Sequence, residues 1–245
     1  MAPFHQHVFS LRIDPSIDGE TNTIIEEDSI PMPWDDVHNP WGVGYLTQNR
    51  AIKASTPLDS APNRVHKITN PNSINPVTGK PVAYAIHSPH KQMLLAHPQS
   101  WHGKRAKYAL HPFWVTSYSD TELYAAGDYT YQSLPSSDPC SPNSDLGAWA
   151  SRGDKVDDED IVLWHSISLT HNPRPEDYPV MPCDTMTVSL KPSGFFEQNP
   201  ALDVPQSTQK GNGSRLVRDE ELVEAVGNEE GGSGGGEDTC CKSKL

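Results

Sequence analysis

Two histidines, His5 and His7, flank a single glutamine near the start of a chain that holds 11 histidines in 245 residues. On a strand, residues i and i+2 point to the same face roughly 6.6 Å apart, so both imidazoles could reach one metal ion. By itself the pattern is weak, because this many histidines would give such a pair by chance about half the time. Its neighbourhood strengthens it: Phe9, Leu11 and Ile13 continue the same face, which predicts a pair aimed inward. Inward imidazoles need partners or a metal to offset lost hydration. A second strand, Ile161–His171, offers a third ligand. Ile161, Leu163, His165, Ile167, Leu169 and His171 share one of its faces. His171 precedes the Asn172-Pro173 turn, which would fix its direction, while His165 is its rival on the same face. Three imidazoles with open positions suit Cu(II) or Zn(II). For either histidine an ordinary hydrogen-bonded core role is the competing reading, and this strand alone does not choose between them.

Asp154, Asp157, Asp158, Glu159 and Asp160 form an acidic run that reads either as a solvated loop or as carboxylates for a hard cation. It is not an EF-hand loop, because the glycine and the closing glutamate are out of register. Other patterns fail on context. Gly231-Gly232-Ser233-Gly234-Gly235 fits a nucleophile elbow but lacks the strand and helix that such a turn needs. His87 and His90 are separated by Pro89, so one helix face cannot present both, and His97, His102 and His111 are expected to make ordinary hydrogen bonds from loops. Asn212-Gly213-Ser214 is a sequon without a secretory context. The final residues Ser243-Lys244-Leu245 match the peroxisomal address.

These groups must be positioned by strands. The 23 prolines spread through the chain rule out long helices, since an internal proline removes a donor and clashes with the preceding turn. The pattern predicts a mainly β protein: an antiparallel β-sandwich with long loops over residues 1–205, followed by a disordered, acidic, glycine-rich tail over 206–245. A short helix at Arg218–Val226 is expected within that tail. His5–Ile13 alternates as a strand before the turn at Asp14–Gly19. Pro112–Tyr118 and Thr121–Ala126 read as a strand pair about a Ser119-Asp120 turn, and Met186–Leu190 as a half-buried strand. The punctuated stretch from Pro31 to Pro81 is expected to wrap the sheet without joining it. With 19 basic and 32 acidic residues the net charge is −13, which argues against nucleic acid and anionic membrane surfaces. No apolar run approaches a membrane span, and no secretory signal segment is expected. Four irregularly spaced cysteines predict no disulfide framework and a reducing compartment.

Several long stretches, in order, carry a resemblance. His5–Pro15 with Asp18-Gly19, Asn75-Pro76-Val77-Thr78-Gly79-Lys80-Pro81, Glu122–Tyr129, Leu169–Pro182 and Asn199–Pro205 resemble the copper-containing, topaquinone-dependent amine oxidases. The resemblance implies copper on His5, His7 and His171, with Met181 packing nearby. It also implies a peripheral second metal, often calcium, at Asp14 and Asp160 with the carbonyls of Pro15 and Ile161. Ser16 stands where many members of that family place a further acid. The implied reaction is oxidative deamination of a primary amine by dioxygen, giving aldehyde, ammonia and hydrogen peroxide, in a homodimer, and in the peroxisome if the terminal tripeptide is read.

The same resemblance exposes a gap. The family's quinone precursor lies in an Asn-Tyr-Asp/Glu motif upstream of the histidine pair, as does its aspartate base. None of this chain's eight tyrosines follows an asparagine. The sequence therefore corresponds to the C-terminal part of the catalytic domain. It is expected to be inactive alone, either as a truncated product or as a non-catalytic copper-binding or partner-binding fragment.

Overall fold

A computed structural model of the chain describes residues 4–88, 93–129 and 133–205. Among these the strands are β1 (His5–Ile13), β2 (Thr23–Pro31), β3 (Tyr45–Ala51), β4 (Thr56–Leu58), β5 (Arg64–Ile74), β6 (Pro81–His87), β7 (Phe113–Ser117), β8 (Ile161–His171) and β9 (Ser189–Ser193). Two short helices, α1 (Trp101–Arg105) and α2 (Leu146–Ala150), complete the regular structure with a few 3-10 turns. All named strand pairs are antiparallel. One sheet runs β1-β8-β7-β4 and the other β3-β2-β5-β6-β9. Ile24, Ile68 and Ile86 from the second sheet pack against Leu58, Phe113, Val115, Ile161 and Leu163 from the first, which makes the β-sandwich expected from the sequence. Contacts divide the chain into a unit ending at Gln198 and another beginning at Asn199. The described part of the latter is a 3-10 turn over Pro200–Asp203, capped by the Asn199 side chain. Residues 206–245, with the expected helix at Arg218–Val226 and the terminal tripeptide, lie outside the described residues.

Strand β8 is buried on both faces from Ile161 to Ser168. Its odd positions face the sandwich core. Val162 and Trp164 face the other way, into a second cluster with Trp114, Ala125, Leu146, Trp149 and Ala150. Each buried indole in that cluster has a partner for its N–H: Trp114 donates to the Tyr108 carbonyl at 3.0 Å, Trp149 to Ser144 Oγ at 2.7 Å and Trp164 to Thr116 Oγ1 at 3.1 Å. A strand clamped on both sides has little freedom to slip, since a one-residue shift would exchange its faces.

Three expectations about the elements need correction. The stretch from Pro31 to Pro81 does not wrap the sheet: it supplies β3, β4 and β5. Proline enters these strands where it is tolerated, with Pro57 on the edge strand β4 and Pro71 in the irregularity between Asn70 and Ile74 of β5. Thr121–Ala126 is a turn, not a strand pairing with β7, whose neighbours are β4 and β8. Glu122 there carries Arg152, with Nη2 to Oε2 at 3.1 Å. Gly127 closes the turn at φ 79°, where a side-chain Cβ would stand 2.5 Å from the Ser144 carbonyl. The strand expected at Met186–Leu190 begins instead at Ser189. Asn75 organises the β5–β6 turn, its Oδ1 accepting the amides of Val77 and Thr78, with Gly79 at φ 64°.

Glu26, 1 % exposed, is a carboxylate inside the sandwich. It is held by Arg50, by Arg64 Nη1 at 3.3 Å and by His66 Nε2 at 3.4 Å, while Arg64 also takes Asp28 at 2.7 Å. Such a buried charge is tolerable because it is paired.

Leu163→Ala, which would hollow the shared core, is expected to cost about 2–5 kcal/mol in denaturant unfolding. Asp145 caps α2, its Oδ1 accepting the Ala148 amide at 3.0 Å, and burial pushes its carboxyl above the usual range. A carboxyl with a raised folded-state pKa binds its proton more readily folded than unfolded, so lowering the pH toward that pKa favours folding at this residue. Asp145→Asn should keep the cap, retain stability at pH 7 and lose this part of the acid-side dependence. Asp145→Ala should lose about 1 kcal/mol.

Candidate metal centre

The β1–β8 register sets His5 directly opposite His171 and His7 opposite Leu169. Facing residues on an antiparallel pair share a sheet face, so all three imidazoles project from the same side. Ring centres of His5 and His7 are 4.9 Å apart, as are those of His5 and His171. Imidazoles sharing one ion stand with ring centres about 4.5–5 Å apart, because metal–nitrogen bonds are about 2.0 Å. His5 Nδ1 is buried and has no hydrogen-bond partner among the described residues. The rings neighbour one another without closing into a finished ligand set: among the described residues no group of three or more His, Cys, Asp or Glu side chains stands at metal-binding spacing.

His165 lies elsewhere. It sits opposite Leu11, six residues from His171 and therefore about 20 Å along the strand. It is fully buried, its Nδ1 lies 2.8 Å from the Pro112 carbonyl, and its ring stacks on Phe113 at 4.2 Å and 10°. Such packing is that of a core histidine.

Beyond His171 the chain turns through Asn172-Pro173 into a 3-10 turn, Pro175–Asp177. Asp177, with a side chain 6 % exposed, places Oδ2 3.9 Å from His171 Nε2. The Arg174 amide donates to Asp177 Oδ2 at 2.8 Å and the Arg174 guanidinium to Oδ1 at 3.1 Å. These bonds, with His171 adding to them, hold the Asp177 carboxyl below the usual carboxylate range. Asp177 lies within the Leu169–Pro182 stretch without a role assigned from the sequence; the signal for it is its place six residues after a candidate ligand, just past Pro175. A cavity of about 290 Å³ here is lined by His171, Arg174, Asp177 and Met181 among others. Met181 is exposed.

The expectation that β1 buries its histidine face is corrected. Ile13 packs on the core, yet Phe9 is 48 % and Leu11 38 % exposed. The reason is position: β1 is the outermost strand of its sheet, and its main neighbours are β8 and the 3-10 turn over Lys107–Leu110.

Of the residues expected at a second metal, Asp14 is bound by Arg12 Nη1 at 3.1 Å. The Asp160 carboxyl is pushed up, by burial first and then by the charges of Asp14 and Glu20. These two acids therefore feel one another. The Asp160 carbonyl accepts from Tyr118 N–H at 2.9 Å, Pro15 and Ile161 are buried, and Ile161 pairs with Ser117. The rest of the acidic run ties its own loop. Asp154 accepts from Ser117 and Arg152, Asp157 from Thr23, Asp158 from Thr21 and Asn72, and Glu159 pairs with Lys155.

A family model described as "Copper amine oxidase, enzyme domain" matches residues 1–211. The chain belongs to the copper amine oxidase family. It is 42% identical over 219 residues to copper amine oxidase 1 of Aspergillus niger, covering 89% of this chain and 31% of that protein. Against the peroxisomal primary amine oxidase of Pichia angusta the identity is 38%, covering 83% and 30%. A solved copper-containing benzylamine oxidase from Hansenula polymorpha superposes with a TM-score of 0.78 at 45% identity, over 84% of this chain and 32% of that one. The chain thus spans about a third of the length of the curated relatives it matches.

His165→Ala is expected to cost about 2–4 kcal/mol in denaturant unfolding, by losing the Phe113 stack and a buried hydrogen bond. His171→Ala, at the strand end, should cost about 1 kcal/mol or less.

Proposed function

We propose that this chain carries the copper-binding part of a primary-amine oxidase, with His5, His7 and His171 as the ligands. The arrangement of the three imidazoles, in a chain of this family, carries the reading. The whole enzyme's reaction would be R–CH2–NH2 + O2 + H2O → R–CHO + NH3 + H2O2. When bound, copper supplies the redox centre needed to build the family's topaquinone from a tyrosine. His5 offers a desolvated nitrogen that gains a partner on binding. Asp177, fixed by Arg174, lies 3.9 Å from His171 Nε2; closing that gap would let its carboxylate accept the Nε2–H, favouring the tautomer whose unprotonated Nδ1 is free to bind the metal. The open side of β1, at Phe9 and Leu11, keeps the histidine face accessible in this chain.

A secondary cation of calcium type is proposed at Asp14 and Asp160 with the carbonyls of Pro15 and Ile161; it would have to displace Arg12 from Asp14. The peroxisome is the proposed location, supported by the name of the Pichia angusta relative and by Ser243-Lys244-Leu245. Homodimerisation of the full-length enzyme, and a division of this chain near residue 205, are further parts of this reading.

A second reading, a copper-binding or partner-binding fragment without turnover, is favoured by the lack of an Asn-Tyr dipeptide among the eight tyrosines. Neither reading has the isolated chain oxidise amines; the amine-oxidase reading and the copper-binding form of the second have it bind copper. In Cu(II) titrations of the purified chain, His171→Ala should weaken binding far more than His165→Gln. Equal losses would defeat the ligand assignment. Amine-dependent peroxide from the isolated chain would defeat the expectation of inactivity.

A further inference from the structure

Gln6, between the two histidines, points to the opposite face of β1. Its Nε2 donates to the Met93 carbonyl at 3.1 Å and lies 3.3 Å from Thr170 Oγ1, and its Oε1 accepts the Leu95 amide at 2.8 Å. One side-chain amide therefore imitates a rung of a β-ladder, taking an N–H from one residue and giving to a C=O two residues away. Between those contacts the Leu94 amide turns the other way and donates to the Ala109 carbonyl at 3.0 Å. Ala109 is fully buried, and the adjacent Tyr108 carbonyl accepts from both Trp114 Nε1 and Ser166 Oγ. The segment that Gln6 grips is thus moored to the tryptophan-rich cluster.

Position gives this grip its consequence. Gln6 and Thr170 are opposite one another in the β1–β8 register. Their neighbours in sequence are His5, His7 and His171. A single amide on the far face joins the two strands at the point from which all three imidazoles project, and adds a third segment to the joint. Along β1, no residue from His5 to Ile13 makes a backbone hydrogen bond to another segment besides the ladder to β8, among the described residues. A strand held by backbone on one side only is free to fray or twist there. The Gln6 amide is the lateral restraint at the end where the histidines lie.

We propose that Gln6 is a positioning residue: its amide, bonded to Met93, Leu95 and Thr170, fixes His5 and His7 relative to His171. This rests on the copper reading above and goes beyond it, since Gln6 touches no metal. Gln6→Met removes the hydrogen bonds at similar volume. It should lower Cu(II) affinity by about 10–100-fold, the range for groups that orient a metal ligand, and change the parallel hyperfine splitting in the Cu(II) electron paramagnetic resonance spectrum. In the metal-free protein it should also speed hydrogen exchange at the Leu95 amide. Val8→Ala, on the same face of the same strand, should alter neither copper readout. Gln6→Glu keeps the acceptor for Leu95 and should recover part of the affinity that Gln6→Met loses; if Gln6→Met does not fold, Gln6→Glu and Val8→Ala are compared with wild type, and a loss confined to Gln6→Glu is expected. Unchanged affinity and spectrum in Gln6→Met, or an equal loss in Val8→Ala, would overturn the proposal. Failure of the wild-type chain to bind Cu(II) through three nitrogens would overturn the copper reading instead, and the Leu95 exchange rate would still report whether the amide grips its segment.

Discussion

The candidate centre depends on one register, the pairing of β1 with β8 that puts His5 opposite His171. A slip of one residue would turn every β1 side chain to the other face. A slip of two would keep the face and leave His5 and His171 out of line. β8 is held by burial on both sides, with Ile161 and Leu163 toward the sandwich and Val162 and Trp164 toward α2, while β1 is held in register by Ile13 on the core and by the Gln6 amide. The histidine that closes β8 is therefore carried on one of the most constrained strands of the protein, whereas the pair on β1 sits on an edge. Rigid and marginal halves meet at one point.

That asymmetry also accounts for the division of labour among the histidines. His165 and His171 share a face and differ only in place along the strand. Midway, beneath Phe113, an imidazole is surrounded by core and becomes a packing element. At the end, where β8 leaves the sheet and the chain turns back through Pro173 and Pro175, the ring keeps one side toward His5 and the other toward Asp177. Arg174 holds that carboxylate charged, so the negative group beside His171 is itself fixed.

Much of this was legible in the sequence, and the failures have physical causes. The alternation in His5–Ile13 gave β1 its correct bounds, and the β-branched and aromatic run gave β8. Alternation could not reveal that β1 is an edge strand, so the burial of Phe9 and Leu11 was overestimated; covering a face requires a neighbour, which no local pattern encodes. The strands between Pro31 and Pro81 were hidden by prolines that sit on an edge or in a bulge; in β2, just before them, the charge of Glu26 disguises an inward position until Arg50, Arg64 and His66 are found around it. Thr121–Ala126 has the composition of a strand, yet the Glu122–Arg152 pair and the closing Gly127 make it a turn. Periodicity leaves His165 and His171 undecided, and only family resemblance points to His171; its ring centre lies 4.9 Å from that of His5.

X-ray absorption at the copper edge of the chain loaded with one equivalent of Cu(II) tests the central claim most directly, because it counts imidazoles by their multiple scattering. Three imidazole nitrogens at about 2.0 Å are expected, falling to two in His171→Ala. Fewer than three in the wild-type chain, or three that survive the loss of His171, would contradict the account.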